Sequence, residues 1–135
     1  MFVHLRLHSE FSVVDSTCRI DDVVKMAAKD AQPALAITDL NNLFGTVKFY
    51  KEGRGKGVKP IIGAEINLEG LGGDVGAISR VVLLVQNHRG YLHICGLLAR
   101  AWAQHGVNGV AVVKLAWPQE PSDGLLSPSG ALVCL

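Results

Sequence analysis

Residues 33–66 give the clearest indication of the fold of this chain. Their sequence is PALAITDLNNLFGTVKFYKEGRGKGVKPIIGAEI. It opens with the apolar run 34–37, whose short length and uniform apolar character are typical of a fully buried strand. It ends inside the segment 58–68, which predicts a second strand with a proline near its start. A helical segment that reaches about Arg54 separates the two. Strand, helix and strand in this order predict two parallel strands joined by a crossover helix.

The helix between these strands has recognisable ends. Asn41 or Asn42 is suited to accept hydrogen bonds from the first backbone N–H groups, and we predict the N-terminal cap at one of them. Gly55 and Gly57 predict the end of the helix, because glycine readily adopts the backbone conformation that follows a last turn. The apolar side chains expected to face inward are Leu43, Phe44 and Val47.

Strands and helices alternate on both sides of this stretch. Upstream, residues 2–8 alternate between an apolar and a polar face, which predicts a strand. Apolar residues recur with helical spacing over 20–31, and Pro33 predicts the end of that helix. Downstream, 81–85 predicts a buried strand and 89–103 an amphipathic helix. The pattern therefore predicts an α/β fold with parallel strands.

The C-terminal part of the chain, residues 106–135, carries a weaker signal. Residues 110–113 and 131–135 predict short strands on either side of a segment that contains proline and serine. The chain has 135 residues, of which 49% are hydrophobic and 19% are charged, so it can bury the core of one modest domain. We therefore expect a single domain over residues 1–135.

Charge and composition argue against several classes of protein. The chain has 13 Lys and Arg residues against 12 Asp and Glu residues, so it lacks the cationic surplus of a dedicated nucleic-acid-binding protein. No apolar run reaches the roughly 18 residues that span a membrane. No signal-peptide core follows Met1, which predicts a cytoplasmic protein. Cys18, Cys95 and Cys134 are odd in number and widely spaced, which predicts reduced, buried thiols instead of disulfides or a zinc site.

Polar side chains stand near the predicted ends of several strands, where parallel α/β folds place their working residues. Histidine and carboxylate side chains that converge from different strands could hold metal ions, which activate water for phosphate-ester hydrolysis. Taken singly, His8 could instead be hydrogen-bonded, Asp39 could cap a helix, and Glu65 could be a solvated strand end. The positions concerned are Arg6, His8, Thr38, Asp39, Glu65 and Arg80.

Three stretches in collinear order carry a resemblance to a known family. They are FVHLRLHSEFSVVDS at 2–16, the stretch 33–66, and VVLLVQNHRGYLHICGLLARAW at 81–102. Within residues 2–105 they resemble the PHP (polymerase and histidinol phosphatase) domain at the N-terminus of bacterial DNA polymerase III alpha subunits. The resemblance implies a distorted, TIM-like β/α barrel with seven strands. Residues 1–135 would supply the N-terminal portion of that barrel as a single partial domain.

The chain departs from the family's metal-binding pattern at three positions. Arg6 stands where active members carry the first histidine of His-x-His, and Leu40 stands where they carry the histidine after Thr-Asp. Arg80 stands where the family often has a histidine before an apolar strand. Arginine is permanently cationic and leucine has no donor atom, so neither can bind a metal ion.

The resemblance leaves His8, Asp15 and Glu65 as the candidate metal ligands of this segment. Arg6 would repel a divalent ion beside them, and an ion pair of Arg6 with Glu65 or Asp39 would stabilise the same cleft without metal. We therefore predict a vestigial site with no catalytic residue and no cofactor. The positions of this vestigial site are Arg6, His8, Asp15, Asp39, Leu40, Glu65 and Arg80.

The resemblance implies a function that does not depend on hydrolysis. We expect a non-catalytic scaffold within a DNA-directed DNA polymerase (a nucleotidyltransferase) of DNA replication. Its partners would be the rest of the alpha subunit and the proofreading 3′–5′ exonuclease subunit, with DNA reached through the parent enzyme. The alternative is a metal-dependent phosphoesterase, a pyrophosphatase or 3′–5′ nuclease, that holds zinc, manganese or magnesium.

Two smaller expectations complete the sequence-based picture. An unclosed barrel would leave bare strand edges and apolar helix faces, which predicts either a homo-oligomer or marginal stability of the chain. The basic stretch 48–59 could contact DNA, but we favour a solvated helix face with its following loop.

Overall fold

The computed structural model of this chain describes residues 2–71, 73, 76–105, 110–117 and 124–126. These residues form two compact units, divided between Ala64 and Glu65. In chain order the elements are α1 (Ile20–Lys29), β1 (Ala34–Ile37), α2 (Thr46–Gly55), β2 (Lys59–Glu69), β3 (Ile78–Val85), α3 (His88–His105), β4 (Val113–Lys114) and β5 (Leu125–Leu126). The fold is therefore α/β, as the sequence predicts, and β2 begins in the first unit and ends in the second.

The first unit is built on a parallel pair of strands. β1 pairs with the beginning of β2, from Ala34 opposite Lys59 to Ile37 opposite Ile62. All four residues of β1 are buried, as expected for a short strand with both faces covered. Because α2 lies in the connection between the two strands, the parallel strand–helix–strand arrangement predicted from residues 33–66 is confirmed.

The predicted N-terminal strand is reduced to one parallel bridge, between His4 and Leu35. The backbone still runs beside β1, because the Ala36 N–H donates to the His4 carbonyl at 2.9 Å. The alternating side chains do not give one buried face, since Leu5 is exposed on the side expected to be apolar and covered. Residues 2–8 therefore form an extended edge segment in place of a regular strand.

Helices α1 and α2 complete the core of the first unit. α1 begins at Ile20, as its apolar spacing predicts, and Asp21 and Asp22 lie in its first turn, where carboxylates interact favourably with the helix dipole. The buried core residues are Ile20, Val24, Ala27, Leu35, Ile37, Phe49 and Val58. The apolar face predicted for α1 therefore faces this core.

Helix α2 ends where the sequence predicts but begins later. It starts at Thr46, no described side chain caps it, and Asn41 instead adopts a φ of 52° in the preceding turn. Phe44 lies before the first turn of α2, and Phe44 and Val47 are 75% and 64% exposed, so the prediction that they face inward is wrong. The prediction of an asparagine cap is wrong as well, because the Asn42 amide bonds groups of the turn itself. The buried residues of α2 are Thr46, Phe49 and Gly53.

The second unit contains a mixed sheet. The end of β2 pairs in parallel with β4, with Leu68 opposite Val113. β3 pairs antiparallel with β5, with Leu84 opposite Leu126. The sheet is therefore mixed, whereas the sequence pattern predicts parallel strands, and β5 lies in a segment predicted to be a linker. The chain enters β5 through Gly124, whose φ of 108° suits a turn.

Helix α3 packs against β3 in the second unit. Ile94 and Leu98 are buried, as the predicted amphipathic helix requires, although Trp102 is 45% exposed. The guanidinium carbon of Arg100 lies 4.2 Å from the ring centroid of Trp117, a cation–π contact between α3 and the turn after β4. The strand predicted at residues 131–135 lies outside the described residues.

The cysteines depart in part from expectation. Cys18 and Cys95 carry free thiols, but Cys18 is exposed in the loop before α1 and Cys95 is half-buried, so the prediction of buried thiols is wrong for Cys18. Cys134 lies outside the described residues. In the part of the chain that the structure describes, no helix has the length and apolar content that a membrane crossing requires.

Candidate functional site

Asp39 is the centre of a polar cluster at the end of β1. It is 2% exposed, and its carboxylate accepts three hydrogen bonds. The Ser9 N–H donates to Oδ1 at 2.6 Å, the Ser9 hydroxyl donates to Oδ2 at 2.7 Å, and the Ser12 hydroxyl donates to Oδ1 at 2.8 Å. Hydrogen bonds to a charged acceptor are roughly twice as strong as neutral ones, and they offset the cost of burying the carboxylate. Asp39 therefore fastens the turn 9–12 to the end of β1.

These bonds bear on the ion pair predicted for Arg6. Among the described contacts of the Asp39 carboxylate, the donors come from Ser9 and Ser12 and not from the guanidinium of Arg6. Hydrogen bonds from the neighbouring turn thus already compensate this carboxylate. The pairing of Arg6 with Asp39 or with Glu65 stays a prediction.

Thr38, the neighbour of Asp39, holds the N-terminal segment. Its backbone N–H donates to the Leu7 carbonyl at 2.8 Å, and its Oγ1 accepts from the Leu7 N–H at 2.9 Å. The same hydroxyl donates to the Leu7 carbonyl at 3.3 Å. The Thr38-Asp39 pair, singled out as part of a candidate site, is thus occupied in holding residues 7–12 beside β1.

The loop 8–18 is closed at its base by its own hydrogen bonds. The Glu10 N–H donates to the Cys18 carbonyl at 2.8 Å. The Ser16 hydroxyl donates to the His8 carbonyl at 2.7 Å and accepts from the Cys18 N–H at 3.1 Å. The two valines at the tip, 13–14, are 84% and 96% exposed. The loop is therefore fixed at its base while its apolar tip meets solvent.

His8 and Asp15 approach each other within this loop. Nδ1 of His8 lies 3.7 Å from Oδ2 of Asp15, which is longer than a direct hydrogen bond. Within the described ranges of the chain, no three His, Cys, Asp or Glu side chains are grouped so that they could hold a metal ion. The loop therefore brings together two side chains, those of His8 and Asp15, whose chemistry would allow them to bind a metal ion.

The other predicted positions have different surroundings. Arg6 is exposed, and the Leu40 N–H donates to the Ser12 hydroxyl at 3.0 Å. Glu65 is buried within β2, so its interpretation as a solvated strand end is wrong. Arg80 is exposed near the beginning of β3, away from the C-terminal strand end where a working residue was expected.

A network of paired charges lies beside the base of the loop. Nζ of Lys48 is 2.8 Å from Oε1 of Glu10 and 2.8 Å from Oδ1 of Asp21. Arg19 lies 3.9 Å from Glu10 and 3.7 Å from Asp21. The hydrogen bond from Lys48 holds the pKa of Asp21 below its ordinary value of 3.8, and the bonds to Asp21 and Glu10 raise the pKa of Lys48 above 10.5. The network links the loop to α1 and α2.

The sequence pattern points to Asp39 but not to the two serines whose hydroxyls donate to its carboxylate. Ser9 and Ser12 are both buried and stand three residues apart in a turn, a spacing at which both hydroxyls reach one carboxylate. The available signal was a Ser-x-x-Ser turn directly after an extended segment, combined with a Thr-Asp pair at the end of a buried strand. Lys48, assigned to a solvated helix face, proves to be paired with two carboxylates.

A cavity of about 640 Å³ lies elsewhere in the first unit, beside α1. Its wall includes the apolar side chains of Met26 and Leu35, with His4 and Lys29 among its polar lining. In the described part of this unit, none of the predicted site residues lines it.

Comparisons with known proteins place these features in a family context. The family described as PHP domain matches residues 4–134. The DNA polymerase III subunit alpha of Pseudomonas aeruginosa is 42% identical over 130 residues, and that of Escherichia coli K12 is 40% identical over 131 residues. Each of these matches covers 96% of this chain, which spans 11% of the length of these relatives.

Solved structures show the likeness of the fold. An amidohydrolase from Chromobacterium violaceum matches with a TM-score of 0.58 at 20% identity, over 75% of this chain and 33% of that protein. A putative metal-dependent phosphoesterase from Bifidobacterium adolescentis matches with a TM-score of 0.55 at 20% identity, over 75% of this chain and 32% of that protein. The likeness supports a partial TIM-like α/β fold.

Proposed function

This chain belongs to the PHP domain family, and we propose that it is the N-terminal segment of a replicative DNA polymerase III alpha subunit, in which it acts as a non-catalytic scaffold. Its partners are the rest of the alpha subunit and the proofreading 3′–5′ exonuclease subunit, and DNA is reached through the parent enzyme. The identity of 40–42% across 96% of the chain supports the parent protein. The bonds of Asp39 carry the non-catalytic part of the proposal.

A carboxylate that binds a metal ion must turn its oxygens toward that ion. Both oxygens of Asp39 accept hydrogen bonds from the 9–12 turn, and breaking such bonds to a charged group costs about 1.5–3 kcal/mol each. The Thr38 hydroxyl is likewise engaged with Leu7. This edge of the first unit is thus suited to holding the chain in position, which is what a scaffold requires.

The donor set of the site fits a metal ion poorly. Arg6 and Leu40 cannot act as ligands, whereas a catalytic zinc ion typically takes three protein ligands. His8 and Asp15 are the two ligand types that the loop brings near each other. We therefore expect this segment to bind no divalent ion and to show neither phosphoesterase nor polymerase activity by itself.

The docking role can be tested with the purified exonuclease subunit. Phe44 and Val47 are exposed apolar side chains at the start of α2, outside the core cluster of the first unit, and such positions are typical of protein contacts. Calorimetric titration should give saturable heat at roughly tens of micromolar protein. Phe44→Ser with Val47→Ser should weaken binding about 10-fold, whereas Met26→Ser, an exposed apolar position on α1, should not. Absence of heat with the unaltered chain would contradict the docking role.

The close approach of His8 and Asp15 favours a second candidate, a metal-dependent phosphoesterase. The solved protein described as a putative metal-dependent phosphoesterase shares its fold with this chain. Elemental analysis of the purified chain distinguishes the two candidates. Zinc, manganese or magnesium retained in stoichiometric amount, and lost in His8→Asn, would establish the second candidate and reject the first.

Three further properties follow from the proposed identity. The complete domain is a seven-stranded distorted barrel to which this chain contributes the N-terminal portion. The exposed edges of that portion favour association of the isolated chain into homo-oligomers, which gel filtration over a range of concentrations would reveal. A replicative polymerase works in the cytoplasm of bacteria, where we place this chain.

A further inference from the structure

The C-terminal end of α2 carries cations that the fold does not use. Lys51, Arg54 and Lys59, here called the basic cluster, are all exposed. In the part of the chain that the structure describes, their side chains form no hydrogen bond and no ion pair. Their neighbours differ, because Lys48 is paired with Glu10 and Asp21, and Lys56 is paired with Glu52.

The backbone keeps the three cations of the basic cluster on one short stretch of surface. Lys51 and Arg54 are three residues apart on a helix, a spacing that places their Cβ atoms about 5–6 Å from each other. After Gly55 the chain turns at Gly57, with a φ of 73°, and the Val58 N–H donates back to the Gly53 carbonyl at 3.0 Å. This turn returns the chain beside the end of α2 directly before Lys59.

The turn between Arg54 and Lys59 contains two glycines with open space around them. Gly55 and Gly57 are exposed, and a Cβ atom built on either would meet nothing within 4 Å. An extended anion can therefore approach this turn closely, while the long side chains of Lys51 and Arg54 reach it from the helix. The three cations of the basic cluster follow one another along this short stretch of chain.

We propose that the basic cluster binds the phosphate backbone of nucleic acid, independently of sequence. A row of unpaired cations matches a linear polyanion, in which each strand carries one negative charge per roughly 3.4 Å. The chain as a whole has a formal charge of +1, so the attraction must come from this local cluster and not from the field of the whole protein. The contact goes beyond the docking role and can exist whether or not that role is correct.

Fluorescence anisotropy with a short labelled DNA duplex tests the proposal. Binding should be detectable at low ionic strength and should weaken with salt with a logarithmic slope near −2 to −3, about 0.9 per phosphate contacted. Lys51→Gln with Arg54→Gln should weaken binding about 10-fold and reduce the slope by roughly 2. Adding Lys59→Gln should abolish the remaining salt dependence.

The matched control is Lys25→Gln with Lys114→Gln, which removes the same charge from two exposed positions outside the basic cluster. This control should change the affinity less than about 2-fold. Equal weakening by the two double variants would overturn the proposal, because the effect would then follow net charge. Absence of binding to the unaltered chain at low salt, or binding to anionic vesicles in preference to DNA, would overturn it as well. Unchanged urea midpoints for all variants would confirm that folding is unaffected.

Discussion

The chain before α2 and the chain at its C-terminal end use their polar residues in opposite ways. Before α2, at the end of β1, Thr38 and Asp39 bond the segment 7–12, and the hydroxyl and carboxylate groups of that region are used to hold the fold. At the C-terminal end of α2, the basic cluster is exposed and has no side-chain partner among the described residues. Residues that resemble a catalytic motif in sequence can therefore serve the fold, while cations available to a ligand lie on a stretch that no motif marks.

The largest expected effect is at Asp39. Asp39→Ala leaves two serine hydroxyls and one backbone N–H buried without their acceptor, so we expect a loss of about 3 kcal/mol or more in the free energy of unfolding. Urea denaturation followed by circular dichroism measures it. Asp30→Ala, at an exposed aspartate after α1, should cost under about 0.5 kcal/mol. Similar losses in both variants would mean that Asp39 does not fasten the turn.

Substitution of a glycine at each end of α2 should change the stability of the chain in opposite directions. A Cβ on Gly45 would lie 3.0–3.1 Å from side-chain atoms of Phe11, Ile20 and Ile37, so Gly45→Ala should destabilise the chain by about 1–3 kcal/mol. Gly55→Ala meets no atom within 4 Å and should stabilise it by up to about 1 kcal/mol, because alanine favours the helix. Thermal and urea denaturation of both variants measure the difference. Equal changes in stability for the two variants would contradict the close packing at Gly45 and the open space at Gly55.

A smaller effect is expected at Thr38. Thr38→Val keeps the shape of the side chain but removes the acceptor of the Leu7 N–H, which should cost about 1 kcal/mol. The control is Thr17→Val, at an exposed threonine of the loop before α1, which should be close to neutral. A neutral result at Thr38 would show that its backbone bond alone holds the N-terminal segment.

The smallest effect concerns the charge network beside the loop. The lowered pKa of Asp21 contributes stability above pH 3.8 that is lost as the pH falls through the still lower folded pKa. The raised pKa of Lys48 contributes stability below pH 10.5 that is lost as the pH rises through the folded pKa. Lys48→Met should therefore lower the urea midpoint slightly at neutral pH.

Two conditions test whether charge pairing causes the effect of Lys48→Met. The difference from the unaltered chain should shrink as the pH falls through the lowered pKa of Asp21, because its protonated carboxyl no longer pairs with Lys48. It should also shrink in high salt, which screens exposed charges. A difference that is independent of both conditions would point to lost packing of the lysine stem instead.

Most of the fold could be predicted from the sequence because it follows from local patterns. The apolar run 34–37, the helical spacing from Ile20 and the glycines after α2 each specify an element whose formation depends on nearby residues. The predictions failed where contacts between distant parts of the chain determine which side chains are buried. Phe44 and Val47 fit an inward face until the turn at Asn41 delays the start of the helix.

The candidate site was less accessible to prediction than the fold. Sequence patterns identify Asp39 as important but cannot show whether its oxygens face an ion or the serines of a distant turn, because residues 9–12 and 39 meet only after folding. The same holds for Lys48, whose two partners come from the loop and from α1. The resemblance in sequence indicates the family, whereas the hydrogen bonds of the folded chain show what Asp39 and Lys48 do in it.

The hydrogen bonds of Thr38 and Asp39 also affect how the first unit unfolds locally. The amides of Leu7 and Ser9 are far from that of Leu40 in the chain, yet each of the three donates to a side chain of the same small cluster. An opening that frees one of these amides therefore releases the acceptors that protect the others. Their hydrogen exchange with solvent should follow one cooperative event, so that this polar cluster defines a unit of local unfolding.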